Sequence, residues 1–387
     1  MPDFYALAQM CFGDMVRVRR VLHADPELGF SLPRTTRFVC GELRAAGLDP
    51  QMLGGSGVLC EVAGAAPGKT ILLRADMDAL PMCEQSGLPF ASKIQAAHCC
   101  GHDLHTSMLL CAASMLQQNR QSLRGRVRCL FQPAEETALG MRAMLEAGLL
   151  DTPADAAVGL HVAPEKPCGR LNFTKGPKAA SFDNFRITVR GEGGHGAQPQ
   201  LAKDSIFSAV QIYSALQGII TRQTPQTEPD VLTVGRFCAG TAGNIIPDTA
   251  VLEGTVRAKT QQQRELMLRR LREIGERTAA VFDTQAVCEI LAGVPPLVCD
   301  GELVRELCTA AGTLPQLEIE QRDDWMTASE DFALLAQRVP SAYVTLGTGG
   351  RDRPYGNHNP RVVYDERAMI PGAAALAAMA FYYCTEE

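Results

Sequence analysis

The chain has 387 residues, 46% hydrophobic and 21% charged, enough to bury more than one core, so two domains are expected. Its 37 basic and 43 acidic residues give a formal charge of -6 with no basic stripe, which argues against a nucleic-acid partner and for a small-molecule one. The start has no basic segment followed by a long apolar run, and no later stretch approaches the ~20 apolar residues that span a bilayer. A cytoplasmic location without a membrane partner is therefore expected.

In chain order, "MVRVRRVLH" reads as helix, "TILLRAD" as strand, Thr106 to Gln118 as helix, and "VRCLFQ" and "AAVGLHV" as strands. This alternation predicts an α/β domain with a largely parallel, buried sheet flanked by helices. The middle differs. "FDNFRITVRGEG" is a strand, about Ala202 to Arg222 a helix, "VLTVGRFCAG" and "TAVLEGTVRA" two strands, "QQQRELMLRRLREIGERTAAVF" a helix and "TQAVCEIL" a strand. These form a β-α-β-β-α-β unit, an inserted smaller α+β domain over residues 182–292. The α/β pattern then resumes with "SAYVTLG" and the helix "ERAMIPGAAALAAMAFYY", so the first domain is discontinuous, 1–181 and 293–387. The 14 cysteines lie scattered without a secretory signal, and Cys11, Cys40, Cys129 and Cys238 read as packing residues.

Chemistry-bearing residues collect beyond the strand ends, where open parallel sheets carry their sites. "ILLRADMDALP" delivers Asp76 and Asp78, "VRCLFQPAEE" delivers Glu135 and Glu136, "VGLHV" delivers His161, and "YGNHNP" carries His358. Between the first two lies "HCCGHDLHTS", with three of the chain's seven histidines. Each alone has an ordinary structural reading: a turn aspartate, a solvated glutamate pair, a core histidine. Together they converge on one crevice. Thiolate, imidazole and carboxylate in one site suit Zn, Mn, Co or Ni rather than Ca or Mg. Cys100-Gly101-His102 gives two ligands around a glycine that permits a tight loop. One of Glu135 and Glu136 can ligate while the other stays a free base, the equipment for amide hydrolysis.

"RADMDALP", "HCCGHDLHTS", "FQPAEE", "GLHV", "GGHGAQP", "GNIIPD", "SEDF" and "NHNP", in that order, resemble the amidohydrolase branch of clan MH metallopeptidases. That branch includes hippurate hydrolases, auxin-conjugate amidohydrolases and N-acyl amino acid deacylases. "RRVLHADPELGF", with His23, Pro26 and Glu27, is similar to its opening signature. The resemblance implies that Cys100, His102, Glu136, His161 and His358 bind two divalent metal ions, Mn or Zn with Co or Ni as alternatives, Cys100 bridging. Glu135 is then the general base for a metal-bound water, and Asp78 a carboxylate that orients a ligand. It further implies that His195 polarises the scissile carbonyl from within the partner subunit of a homodimer built through the inserted lid domain. Asn244 and Arg257 would face the substrate, an N-acyl amino acid. The chain departs from the pattern at Leu104 and Cys99, where glycine and alanine are usual, and "SLPRTT" lacks the usual glutamate. Leu104 hints at a narrowed entrance.

His98 and His105 read as structural supports, Glu330 and Asp331 as caps of the following helix, and Trp325 as packing. Two other functions compete: a thiol hydrolase with Cys100 as nucleophile and His102 or His105 as base, and a non-catalytic metal- or substrate-binding protein. The first leaves Glu136, His161 and His358 idle, and the second leaves Glu135 without a task.

Overall fold

The computed structural model describes residues 1–225, 227–349 and 355–385. The chain divides into two units, the first comprising Met1–Lys178, Val298–Asp324 and Asp331–Glu387 and the second Ala179–Leu297 and Trp325–Glu330.

The first unit is built on an eight-stranded sheet. Its strands are β1 (Gln51–Leu53), β2 (Gly57–Ala63), β3 (Ala66–Asp76), β4 (Arg124–Gln132), β5 (Ala156–Pro167), β6 (Arg170–Phe173), β7 (Glu318–Gln321) and β8 (Ser341–Gly349). Their spatial order is β1-β2-β4-β3-β5-β8-β6-β7. The pairs β3/β4, β3/β5, β5/β8 and β6/β7 are parallel, and β1/β2, β2/β4 and β8/β6 antiparallel. Ile71, Leu72 and Leu73 of β3 are all buried, because helices cover both faces and a central parallel strand has no solvent side. The helix His102–Gln118 packs against the helix Met369–Thr385, and both are buried nearly all round.

The second unit is a four-stranded antiparallel sheet in the order Val231–Ala239, Thr249–Arg257, Phe182–Arg190, Gln285–Val294. Alternate residues Asp183, Phe185, Ile187 and Val189 are buried, as a one-sided sheet requires. They pack under the helices Ser205–Arg222 and Gln261–Val281 through Ala209, Ile212, Leu216, Met267 and Leu271.

Several boundaries differ from the sequence reading. The helix expected from Thr106 begins at His102, because Gly101 takes a left-handed conformation that starts the turn early. The helix expected from Ala202 begins at Ser205, because the Asp204 side chain caps the N–H groups of Ile206 and Phe207. The second unit runs past 182–292 and takes in Trp325–Glu330, since Ala180 N–H donates to the carbonyls of Met326 and Ala328 at 3.1 and 3.0 Å. Asp331 does not cap the next helix, Ala333–Ala336, which has no side-chain cap. Its carboxylate instead accepts from Gln132, from Arg74 and from the N–H of Met141. Cys238 is exposed and Cys11 half-buried, so neither is a plain packing residue, whereas Cys40 and Cys129 are buried. Glu366–Thr385 is, contrary to the sequence reading, long and apolar enough by composition to cross a bilayer; 83% of that window is buried, the position of a core helix.

Candidate metal centre

Three strand ends and two loops assemble the site in the first unit. Asp76 closes β3, Gln132 closes β4 just before Glu135 and Glu136, and His161 lies on β5 beside Thr345 of β8. Between Cys100 and His102, Gly101 has φ +85°, and a Cβ there would lie 2.3 Å from Val162 Cγ2. Only glycine fits that turn, which puts the thiol and the imidazole on the same side. Three non-glycine residues also take left-handed backbone here: Ala134 (φ 57°) and Ala138 (φ 58°), on either side of Glu135–Thr137, and His358 (φ 66°). The His358 N–H donates to the Cys99 carbonyl at 2.7 Å, tying its loop to the cysteine turn.

The ligand atoms fall into two triads that share one member. Cys100, His102 and His161 place theirs within 4.8 Å of one another, and so do Cys100, Glu136 and His358. The Cys100 thiol is 3.5 Å from His161 Nε2, and His358 Nε2 is 3.5 Å from Glu136 Oε1. His102 Nε2 and Glu136 Oε1 are buried without a hydrogen-bond partner. Buried polar atoms left unpaired are costly, and two of them facing a thiol and further imidazoles fit a bound cation. The donor set of one thiol, three imidazoles and one carboxylate suits a borderline divalent metal. Glu135 lies with His102 and Glu136 in a third group of the same spacing, beside the site and outside both triads.

Two of the imidazoles are oriented through their other ring nitrogen. His102 Nδ1 donates to the Asp78 carbonyl at 2.8 Å, and His161 Nδ1 to the Val162 carbonyl at 2.8 Å, so both Nε2 atoms point inward. The Asp78 carboxylate accepts the N–H groups of Glu135 and Glu136 at 3.0 and 3.2 Å and so holds the loop that carries both glutamates. Asp76 binds His105 Nδ1 and Arg74 Nη1, each at 2.6 Å, while His105 Nε2 accepts the Val162 N–H at 2.9 Å. Asp76, His105, Arg74, Gln132 and Asp331 thus form a buried polar array behind the ligands. The sequence reading named Asp76 and His105 but missed the array; an arginine inside the apolar strand "TILLRAD" was the available signal, since a buried guanidinium needs a counter-charge.

The opening signature also has a structural task. His23 bridges Asp103 at 2.8 Å and Glu84 at 3.0 Å, and Arg19 reaches Asp103 at 2.8 Å, next to the ligand His102. The Glu27 carboxylate caps the helix Pro33–Ala45 through the N–H groups of Arg34 and Thr35.

Burial and the Glu136 carboxylate push the Cys100 thiol well above its usual range. A nucleophilic cysteine needs a lowered pKa and an open approach. Cys100 has neither, and His105 has both nitrogens committed, so the geometry speaks against the thiol-hydrolase alternative. Burial lowers His102, but Asp76 and Cys100 outweigh it and leave the imidazole well above its usual range. Burial and then His105 hold His161 well below its own, in the neutral form that ligates metal. His98 is fully enclosed and burial pushes it down to about 3. Leu104 and Cys99 are buried as well, so neither narrows an entrance.

In the second unit, His195 pairs with Ile245 and borders a cleft of about 710 Å³ lined also by Asn244, Gly240 and Thr249. His195 is exposed, and its Nδ1 accepts the Ala197 N–H at 3.0 Å, which leaves Nε2–H to donate. Arg257 is not brought to this cleft. Thr249 begins the strand that Arg257 ends, eight residues or about 27 Å away. There the guanidinium donates to the Thr327 carbonyl at 3.0 Å and stacks over the Phe182 ring.

Known proteins resemble this chain over nearly its whole length. The profile of peptidase family M20/M25/M40 matches residues 72–382. An N-acetylcysteine deacetylase of Bacillus subtilis (strain 168) is 36% identical over 371 residues, covering 95% of this chain and 96% of that protein. An N-acetyl-L-cysteine deacetylase of the same organism is 38% identical over 359 residues, covering 92% of this chain and 85% of that protein. A solved dinuclear metal-binding peptidase from the M20 family, also of Bacillus subtilis, matches with TM-score 0.85 and 34% identity, covering 96% of this chain and 98% of that one.

Proposed function

The chain belongs to peptidase family M20/M25/M40, in its amidohydrolase branch, and from that membership we propose that it hydrolyses the amide bond of N-acyl amino acids, N-acetylated ones foremost. The observation that carries this reading is the pair of ligand triads joined at Cys100, with Glu135 beside them. Cys100, His102, His161, Glu136 and His358 hold two divalent ions, manganese or zinc. Bound there, such ions supply positive charge that polarises an acyl carbonyl and acidifies water. Glu135 accepts the proton of the attacking water and returns it to the leaving amine. Asp78 fixes the reach of Glu135 by holding its backbone.

His195 donates from Nε2 to the developing oxyanion, and Asn244 and Arg257 bind the substrate, Arg257 through its carboxylate. The cleft that His195 borders lies at the Thr249 end of the strand Thr249–Arg257 and Arg257 at its other end, so a single second unit does not offer both to one small substrate; this supports a site completed by a partner chain. An apolar surface is available for pairing. Ile206, Phe207, Val210 and Tyr213 are exposed along the helix Ser205–Arg222, as is Phe237 on the edge strand Val231–Ala239. We read this face as the homodimer contact.

The two names that mention N-acetylcysteine support a short acyl group on a small amino acid. A panel of N-acetyl, N-benzoyl and longer N-acyl amino acids, assayed after metal removal and reloading with Mn or with Zn, tests the reading. Metal-dependent release of free amino acid from N-acetyl substrates is the expected result; full turnover in the presence of a chelator would overturn it.

A further inference from the structure

We propose that Cys11 and Cys111 form a hydroperoxide-sensitive thiol pair, whose oxidation to a disulfide staples the N-terminal helix Phe12–Ala24 to the helix His102–Gln118 that carries a metal ligand. The contacts between these helices form a ladder. Arg19 Nε donates to Asp103 Oδ2 at 2.8 Å, and Ser107 Oγ donates to the Met15 carbonyl at 2.8 Å. From one rung to the next the first helix steps back four residues and the second steps forward four, the spacing of antiparallel helices in contact along one face. The next rung of the same register is Cys11 and Cys111, which brings the two thiol side chains to face each other. Cys11 sits in the junction between the helices Phe4–Met10 and Phe12–Ala24, where the backbone can adjust to a shorter sulfur–sulfur distance.

Access separates this pair from another. Cys60 and Cys129 lie directly opposite each other on β2 and β4, but both are buried. Cys11 is half-buried and opens to solvent, whereas Cys111 lies beneath it. The neighbouring Cys111 thiol lowers Cys11 from the ordinary thiol range, which favours the thiolate at the more accessible sulfur.

The chemistry balances with a hydroperoxide as the oxidant. The Cys11 thiolate attacks a peroxide oxygen; the S–O bond forms, the O–O bond breaks, and the departing hydroxide (or alkoxide) takes a proton. Cys111 then attacks the sulfenic sulfur, the S–S bond forms, and the displaced hydroxide leaves as water with the Cys111 proton. Two thiols are oxidised and one peroxide is reduced.

The test uses metal-loaded, full-length protein treated with hydrogen peroxide, alkylated, digested without reductant and mapped by mass spectrometry. The expected result is a Cys11–Cys111 linked peptide, two fewer alkylatable thiols, reversal by dithiothreitol and no Cys60–Cys129 link. In Cys111→Ser the linked peptide is lost and Cys11 advances to sulfinic acid instead, and the rise in thermal midpoint that oxidation gives the wild type disappears. The proposal is overturned if wild-type Cys11 stays fully alkylatable, links to another cysteine, or advances to sulfinic acid while Cys111 remains free.

Discussion

His105 donates from Nδ1 to the Asp76 carboxylate at 2.6 Å, and its other ring nitrogen accepts the Val162 N–H at 2.9 Å. With both nitrogens committed, His105 acts on the strand that carries His161 and not on a cation. His105→Phe preserves a ring of similar size but removes both bonds, leaving the Val162 N–H unpaired and Asp76 short of a partner. Urea unfolding of the metal-free protein should show a loss of about 3–5 kcal/mol; a loss below about 1 kcal/mol would mean the array is dispensable.

Glu135→Gln should leave metal content unchanged and lower kcat by about 10²–10⁴-fold, because the amide keeps the shape but cannot accept a proton. Elemental analysis alongside steady-state kinetics checks both halves. Near-normal turnover with normal metal content would remove Glu135 from the role of base.

Gly101→Ala combines a φ of +85° with a Cβ 2.3 Å from Val162 Cγ2. The turn must open to relieve the clash, which moves Cys100 and His102 apart. We expect a stability loss on the order of 1–3 kcal/mol from backbone strain alone, and a drop in bound metal. Metal content equal to that of the wild type would show that the turn tolerates a side chain.

Mixing His195→Ala with Glu135→Gln protein, each inactive alone, should restore activity to about a quarter of the wild-type value if subunits exchange freely and His195 acts across a dimer. Half of the dimers are then mixed, and each mixed dimer has one complete site. If mass-tagged subunits exchange and the mixture stays inactive, His195 does not act in trans.

Burial pushes the Asp324 carboxyl up, but Lys166 and Lys178 outweigh it and hold it below the usual carboxylate range. A carboxylate lowered on folding stabilises the protein above its unfolded pKa, and that stabilisation fades as pH falls through its folded value. Lys178 is fully buried and donates to Asp324 at 2.9 Å, so Asp324→Asn strands a cation. At pH 7 the variant should lose about 3–5 kcal/mol, and the gap to wild type should narrow as the pH is lowered below about 4. Denaturant titrations at several pH values measure it, and a gap independent of pH would refute the assignment.

Much of the site was legible because the chemistry interrupts strong local patterns. "TILLRAD", "VRCLFQ" and "AAVGLHV" are apolar runs of buried strands, and a carboxylate or imidazole placed at or just beyond such a run falls at the edge of the sheet. Cys100-Gly101-His102 carries its own geometry, since only glycine allows two ligands so close in sequence to face one way. The β-α-β-β-α-β order of the second unit followed from a period of two in its strands and of nearly four in its helices.

What the sequence could not decide depends on partners far apart in the chain. His105 reads as a structural support in "HDLHTS", but what it supports is decided only by its bonds to Asp76 and Val162, 29 and 57 residues away. Asp331 reads as a helix cap until Arg74 and Gln132 are seen to claim its carboxylate. Arg257 and His195 both read as facing a substrate, and only the strand Thr249–Arg257 shows how far apart one chain holds them. Local periodicity fixes which way a side chain faces along its own element; which group waits there is decided by how the elements pack, and no short window of sequence contains that contact.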